Sequence, residues 1–344
     1  MKISFLITYY NQEAYVRESM DSVLAVDKPD EWEILVGDDG SSDGTAAAVR
    51  DYIARDPEHI RLIVQPREEG VRYSPVRRAG ANRLSLLEAC TGDCFCSLDG
   101  DDFYTDTAFV KEAVGAFEKY PDVTVVSFGY RYYTDGAFGE PMTLPEGMAG
   151  PVDTDAYLRG QYIHSGACVH RVAWGKERIA ELRAIGSYDD NDIVMNGLKY
   201  GRMYHIRRAV YAYRQTGDSV YNSMDSLEKA MLNVQGFDLG KAILGEAKEE
   251  ALLSRYAAPL LQAYLGRKRI RRELGGKAER YLADCEGLER SVCRDLIRWD
   301  ALSGAEKAAV RKLSARAARL QPVRAAKTLL RQLPGLRRER SAGR

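Results

Sequence analysis

Two acidic clusters stand out in the first third of this 344-residue chain. Asp38 and Asp39 lie side by side in "ILVGDDGSSDG" (34–44), and Asp99, Asp101 and Asp102 share "SLDGDDFY" (97–104). Carboxylates this close push one another toward protonation unless something positive relieves them. A divalent cation with hard oxygen ligands, Mg²⁺ or Mn²⁺, would do so at the second cluster and leave positions open for a substrate phosphate. A solvated acidic turn or helix start would use the same residue types. "DGSSDG" is also good turn and cap chemistry in its own right.

The elements that must hold these clusters follow from the apolar pattern. Strands are expected at 2–8, 31–37, 60–65, 94–98 and 123–129, and helices at 14–26, 45–56, about 78–90 and about 107–119. Strands separated by helices of this length imply βαβ units, hence an α/β fold with a mostly parallel sheet covered on both faces. Ligands of such sheets bind beyond the carboxyl ends of the strands, and both acidic clusters fall at such ends. From residue 226 onward the pattern is helical throughout. The expected division is therefore 1–225 for the sheet domain and 226–344 for a helical C-terminal region.

Composition sets the outer bounds. At 45% hydrophobic and 29% charged the chain reads as a globular protein, with no apolar run near the ~18 residues of a membrane span. The opening "MKISFLITYYN" reads as a first strand rather than a signal peptide. Six cysteines (90, 94, 96, 168, 285, 293) without an export signal point to reduced thiols. Cys94 and Cys96 read as strand residues, since no partner pair or nearby histidine completes a metal site. Lys/Arg and Asp/Glu balance at 50 each, yet residues 306–344 hold twelve of the former and two of the latter, a local +10. That basic amphipathic tail could lie on an anionic membrane or pack on its own domain. Nucleic acid is not an expected partner, because the tail lacks interleaved aromatics and the rest of the chain is acidic.

Taken in order, Thr8-Tyr9-Tyr10-Asn11, "EILVGDDGSSDGT", Asn82 and "TGDCFCSLDGDDFY" closely resemble family 2 of the inverting glycosyltransferases, which have the GT-A nucleotide-sugar-binding fold. The resemblance covers about residues 1–220. It implies that "LDGDD" is the metal-binding D-x-D element and "DDGSSDGT" the first nucleotide-contacting turn. By the same resemblance Thr8, Tyr10, Asn11, Asp38 and Asp39 hold the nucleotide, with Asp39 accepting from a ring N–H. Arg78 sits where a basic residue contacts the nucleotide, Asp99 and Gly100 lie near the ribose, and Asp101 and Asp102 hold the metal on the diphosphate. In "SYDDNDIVMNGLKYG" (187–201), Asp189 and Asp190 align with an acidic pair that opens a helix, Asp190 falling where the family keeps its general base.

The resemblance thus implies a metal-assisted transfer from a nucleotide-sugar donor, UDP preferred, to a glycan or lipid-linked acceptor in cell-surface polysaccharide synthesis. The implied place is the cytoplasm, with the tail at the inner face of the plasma membrane. Departures matter: where relatives often carry Tyr-Arg-x-His, this chain has Tyr213-Arg214-Gln215-Thr216, so a histidine ligand is missing there. His164 is a candidate contact to acceptor or diphosphate, or a structural histidine. His205 reads as structural. "GYRYY" (129–133) would suit an acceptor cleft or core packing. The alternative function is a non-catalytic sugar-nucleotide-binding or scaffold protein, which would be expected to lose a carboxylate that this chain keeps. A nucleotidyltransferase or dinucleotide oxidoreductase would need a Gly-rich loop where "ITYYNQEAY" stands.

Overall fold

The computed structural model describes residues 1–67, 75–186, 188–216 and 224–322. The chain forms two compact units, the first made of Met1–Tyr157 with Gln161–Gly217. In it β1 (Ile3–Tyr9), β2 (Trp32–Asp38), β3 (Ile60–Val64) and β4 (Cys94–Asp99) alternate with α1 (Glu13–Ala25), α2 (Thr45–Arg55) and α3 (Pro75–Ala89). β5 (Phe103–Tyr104), α4 (Phe109–Lys119), β6 (Val123–Thr134), β7 (Ala137–Met142), β8 (Gly150–Val152) and α5 (Thr154–Leu158) follow. Then come β9 (Cys168–Arg171), α6 (Lys176–Ile185), α7 (Asp190–Leu198) and β10 (Arg202–Arg214).

The sheet runs β3-β2-β1-β4-β9-β6-β10-β5, with β7 on β6 and β8 on β10. β1 to β4 are mutually parallel, and β6 runs parallel to β10. β1, β2 and β4 are near-continuous apolar runs, buried along almost their whole length, as expected of central parallel strands covered on both faces. Ile3, Phe5, Ile7, Ile34, Val36, Cys96, Leu98 and Val126 form the core with Val16, Met20 and Phe117 from the helices. Cys94 and Cys96 are buried strand thiols, and all six cysteines are free. The fold is thus GT-A-like in layout, a mixed sheet with most strands running one way.

One strand departs from the expected pattern. β9 is only four residues long and wedges antiparallel between β4 and β6. "CVHR" carries too few residues for a period to show, and its antiparallel sense depends on where the chain enters the sheet. His205 lies on β10 with Ser127 Oγ at 2.9 Å from Nδ1 and Thr143 Oγ1 at 2.7 Å from Nε2, a structural histidine.

The second unit is helical: α8 (Ser226–Leu244), α9 (Glu249–Leu274), α10 (Lys277–Asp284), α11 (Val292–Ile297) and α12 (Gly304–Leu320). Asp225 and Glu228 cap the start of α8 reciprocally. Met231, Val234, Phe237, Leu253, Tyr256 and Leu260 are buried within it. α12 buries Val310, Ser314 and Ala317, and Arg316 pairs with Glu249 of α9 at 2.5 Å. The start of the basic tail is therefore a packed helix. Residues 323–344 lie outside the described residues. No helix among the described residues is long and apolar enough to cross a membrane.

Candidate functional site

The parallel strands end on one edge of the sheet, and the acidic clusters gather there. β1 delivers Thr8, β2 delivers Asp38 and Asp39, and β4 delivers Asp99. Backbone bonds lock the ends together: Asp39 N donates to Tyr9 O, and Gly100 N to Thr8 O, both at 2.9 Å. Gly100 must be glycine for packing reasons, since a Cβ there would lie 2.0 Å from the Tyr9 ring and 2.8 Å from Thr8 O.

The two adjacent aspartates have separate jobs. Asp38 is buried, and its Oδ1 accepts from the backbone N (3.1 Å) and the hydroxyl of Ser41. It shapes its own turn, as aspartate does in an Asx-turn, rather than facing a ligand as the family pattern suggested. Asn11 also serves that turn. Its backbone is left-handed (φ 52°), its N donates to Ser41 Oγ, and its Oδ1 accepts from Ser42 N, both at 2.8 Å. Asp39 faces the other way, into the guanidinium groups of Arg67 and Arg78. Arg67 in turn lies 3.9 Å over the ring of Tyr10, which is 45% exposed. Tyr10, Asp39, Arg67 and Arg78 thus make an open, charged and aromatic corner.

The second cluster is compensated from within. Thr8 Oγ1 donates to Asp99 Oδ1 at 3.2 Å, and Arg83 Nη2 donates to the same oxygen at 2.8 Å. Burial alone would raise the Asp99 carboxyl, but Arg83 and then His164 outweigh it and hold it below its usual range. Asp102 accepts from Tyr211 OH at 2.5 Å and from Arg214 N at 2.7 Å. Burial, then Asp101 and Asp99, still push its carboxyl well up. The Asp101 side chain bonds to Gln12, and its carboxyl is raised by burial and by Asp99. Asp99, Asp102 and His164 bring ligand atoms within 4.8 Å of one another, the grouping among the described residues with metal-site spacing. The structure thus groups Asp102 with Asp99 and His164, where the D-x-D pattern pairs it with Asp101. Asp101 stays in electrostatic contact with both Asp99 and Asp102.

The third acidic pair comes from the far end of the unit. Asp189 caps α7: its side chain accepts from Asp190 N at 2.8 Å and exchanges bonds with Asp192. Asp190, the first helical residue, accepts from Ser165 Oγ at 2.7 Å through Oδ1. Its Oδ2 stands 3.9 Å from His164 Nε2. Asp189 also lies 3.5 Å from Arg83, so that one arginine spans both carboxylate groups. His164 is buried and stacks on Tyr211 at 4.8 Å. Its Nδ1 accepts from Gly166 N at 3.1 Å, which leaves Nε2 as the N–H-bearing nitrogen facing the carboxylates.

Arg67, Arg83, Ser165 and Tyr211 went unnoticed in the sequence. Arg83 had a faint signal, an arginine beside Asn82 in a stretch whose Leu84, Leu86 and Leu87 are buried. Ser165 had none beyond its neighbour His164.

This edge, with carboxylates on three strand or helix ends around a buried histidine, agrees with what the sequence matches. The description "Glycosyl transferase family 2" fits residues 4–180. The chain belongs to glycosyltransferase family 2. An uncharacterized protein of Mycobacterium tuberculosis is 29% identical over 209 residues, 60% of this chain and 54% of that protein. The poly-β-1,6-N-acetyl-D-glucosamine synthase of Staphylococcus epidermidis is 42% identical over 90 residues, 26% of this chain and 22% of that one. The chain spans about half the length of the mycobacterial relatives it matches (54%). Among solved structures, S. aureus TarS 1–349 in complex with UDP-GlcNAc superposes with a TM-score of 0.58 at 17% identity, covering 96% of this chain and 93% of that one. That likeness shows the GT-A fold, and the family match shows membership of glycosyltransferase family 2.

Proposed function

We propose that this glycosyltransferase moves a sugar from a nucleotide-diphosphate donor, UDP-linked by preference, to a hydroxyl of a glycan or lipid-linked acceptor, inverting the anomeric centre. Cell-surface polysaccharide synthesis is the setting we infer, at the cytoplasmic face of the membrane. The observation that carries the reading is the convergence of Asp99, Asp102 and His164 with Asp190 across His164.

The nucleotide would use the corner of Tyr10, Asp39, Arg67 and Arg78, with a flat ring for the base and cations for charge. The oxygen donors suit a hard divalent cation: Asp99 and Asp102 are close, and Asp102 is poorly compensated for a buried carboxylate. His164 would join as a ligand only by giving up its bond from Gly166 N. Asp99 and Asp102 are the residues that would hold Mn²⁺ or Mg²⁺, which supplies Lewis-acid neutralisation of the diphosphate.

The chemistry of the residues themselves is one displacement. The bond from the anomeric carbon to the diphosphate oxygen breaks, its electron pair leaving with the nucleotide diphosphate. The acceptor oxygen bonds to the same carbon from the opposite face, and its proton passes to Asp190. Ser165 occupies Oδ1 of Asp190, so Oδ2 is the oxygen left for that proton. No covalent intermediate is required.

Asp190→Asn tests this assignment. It keeps the size of the group but cannot take a proton, and loss of a general base costs about 10²- to 10⁴-fold in rate. Turnover of a sugar nucleotide should collapse while nucleotide affinity, measured by calorimetry, stays near wild type. Near-normal turnover moves the base elsewhere.

A further inference from the structure

Beside the carboxylates, a fan of tyrosines opens outward from His164. The ring of Tyr213 lies 4.5 Å from that of His164, and the ring of Tyr132 lies 5.6 Å from Tyr213. Tyr130, buried at the hub, meets His164 at 5.8 Å, Tyr132 at 5.5 Å and Tyr162 at 6.2 Å. Strand alternation explains the grouping, since Tyr130 and Tyr132 share a face of β6 while Tyr133 packs on the other side against Phe103. Tyr132 and Tyr162 are nonetheless 38% and 41% exposed. Large rings held by buried neighbours yet open to solvent are preorganised contact surfaces.

The fan borders the carboxylate that would take the acceptor's proton: the Tyr213 ring lies 4.5 Å from that of His164, whose Nε2 stands 3.9 Å from Asp190 Oδ2. A pyranose ring offers apolar C–H faces to the phenols and hydroxyls to their rims.

We propose that Tyr132, Tyr162 and Tyr213 form the acceptor subsite and that it takes a pyranose residue, stacked on the phenol faces with one hydroxyl at Asp190. The proposal rests on Asp190 as the proton acceptor and adds the class of acceptor. It selects a glycan end with a ring face over an open-chain polyol.

Saturation-transfer NMR on the full chain, with cellotriose and chitotriose as pyranose probes and ribitol as the open-chain one, tests it. At least one trisaccharide should bind, and ribitol should not. Tyr132→Ala and Tyr162→Ala should each weaken binding about tenfold, the scale of one lost aromatic contact, while the Phe variants bind as wild type. Both side chains are exposed, so the variants should fold, which circular dichroism checks. Failure of both trisaccharides to bind, equal binding of ribitol, or unchanged binding by the alanine variants overturns the subsite. Mn²⁺–UDP binding in the same samples separates the two readings. Its presence with no saccharide binding sinks the subsite alone, and its absence from wild type sinks the nucleotide-sugar reading beneath it.

Discussion

Replacing Arg83 with glutamine removes a cation that spans Asp99 and Asp189. The two contacts differ in weight. The Asp99 bond is 2.8 Å with the arginine only 11% exposed and the aspartate 27%, whereas Asp189 is 3.5 Å away and 53% exposed. The second pair contributes at most about 1 kcal/mol. Breaking the first leaves a largely buried carboxylate uncompensated, which costs about 3 kcal/mol, the low end of such losses because Asp99 keeps some solvent. For a domain of this size that lowers Tm by roughly 6–12 °C. The sign of the pH dependence follows from Asp99. In the wild type its carboxyl is held below the usual value, so its contribution is present above about pH 4 and lost as pH falls through the lowered value. In Arg83→Gln burial is left to raise that carboxyl, so the variant regains stability as pH falls through the raised value toward about pH 4. The Tm gap between the proteins should therefore be widest near about pH 7.5 and narrower near about pH 4.5, in scans run with chelator. Asp99→Asn in the Arg83→Gln background should recover most of the loss, because the stranded charge is gone. An equal gap at both pH values, or strictly additive single and double variants, refutes the compensation argument.

Three further outcomes are expected. Excess chelator should abolish donor turnover, and Asp102→Asn should weaken metal-dependent nucleotide binding in calorimetry; turnover that survives chelation removes the metal assignment. Burial holds His170 down to about 3 and His205 to about 4. Below the unfolded value near ~6.5, the unfolded chain binds protons that the fold refuses, so stability falls by about 1.4 kcal/mol per pH unit for each histidine. Denaturant melts of His170→Phe should show a shallower fall between about pH 6.5 and about pH 5; an unchanged slope refutes the argument. Residues 323–344 hold seven Lys/Arg against one Glu, net +6, and each basic residue near an anionic surface contributes about 1 kcal/mol. Truncation after Pro322 should release the protein from anionic vesicles at low salt and leave its melt unchanged, while absence of binding by the full chain ends the membrane reading.

Much of this protein is written locally. The strands ending at Tyr9, Asp38 and Asp99 show as apolar runs stopped by turn residues, and the helices between them show by period, because those patterns depend on neighbours a few residues apart. The acidic clusters are equally legible, being adjacent in sequence, and their place at strand ends follows from the βαβ alternation. The division of labour inside them was not legible. Whether Asp39 turns away from the Asp38 turn is decided by Arg67, just after β3, and Arg78 on α3, which meet it only in the folded sheet. Asp102 meets Tyr211, a residue 109 positions away, only because β5, which follows it, pairs antiparallel with β10 at Tyr211. Asp99, His164 and Asp190 converge because the short antiparallel β9 brings the segment before it, with His164 and Ser165, up to the same edge of the sheet. Local sequence sets which residues can do chemistry. The crossovers and the packing of helices on the sheet decide which of them share one space, since side chains from distant segments meet only when the whole core is in place.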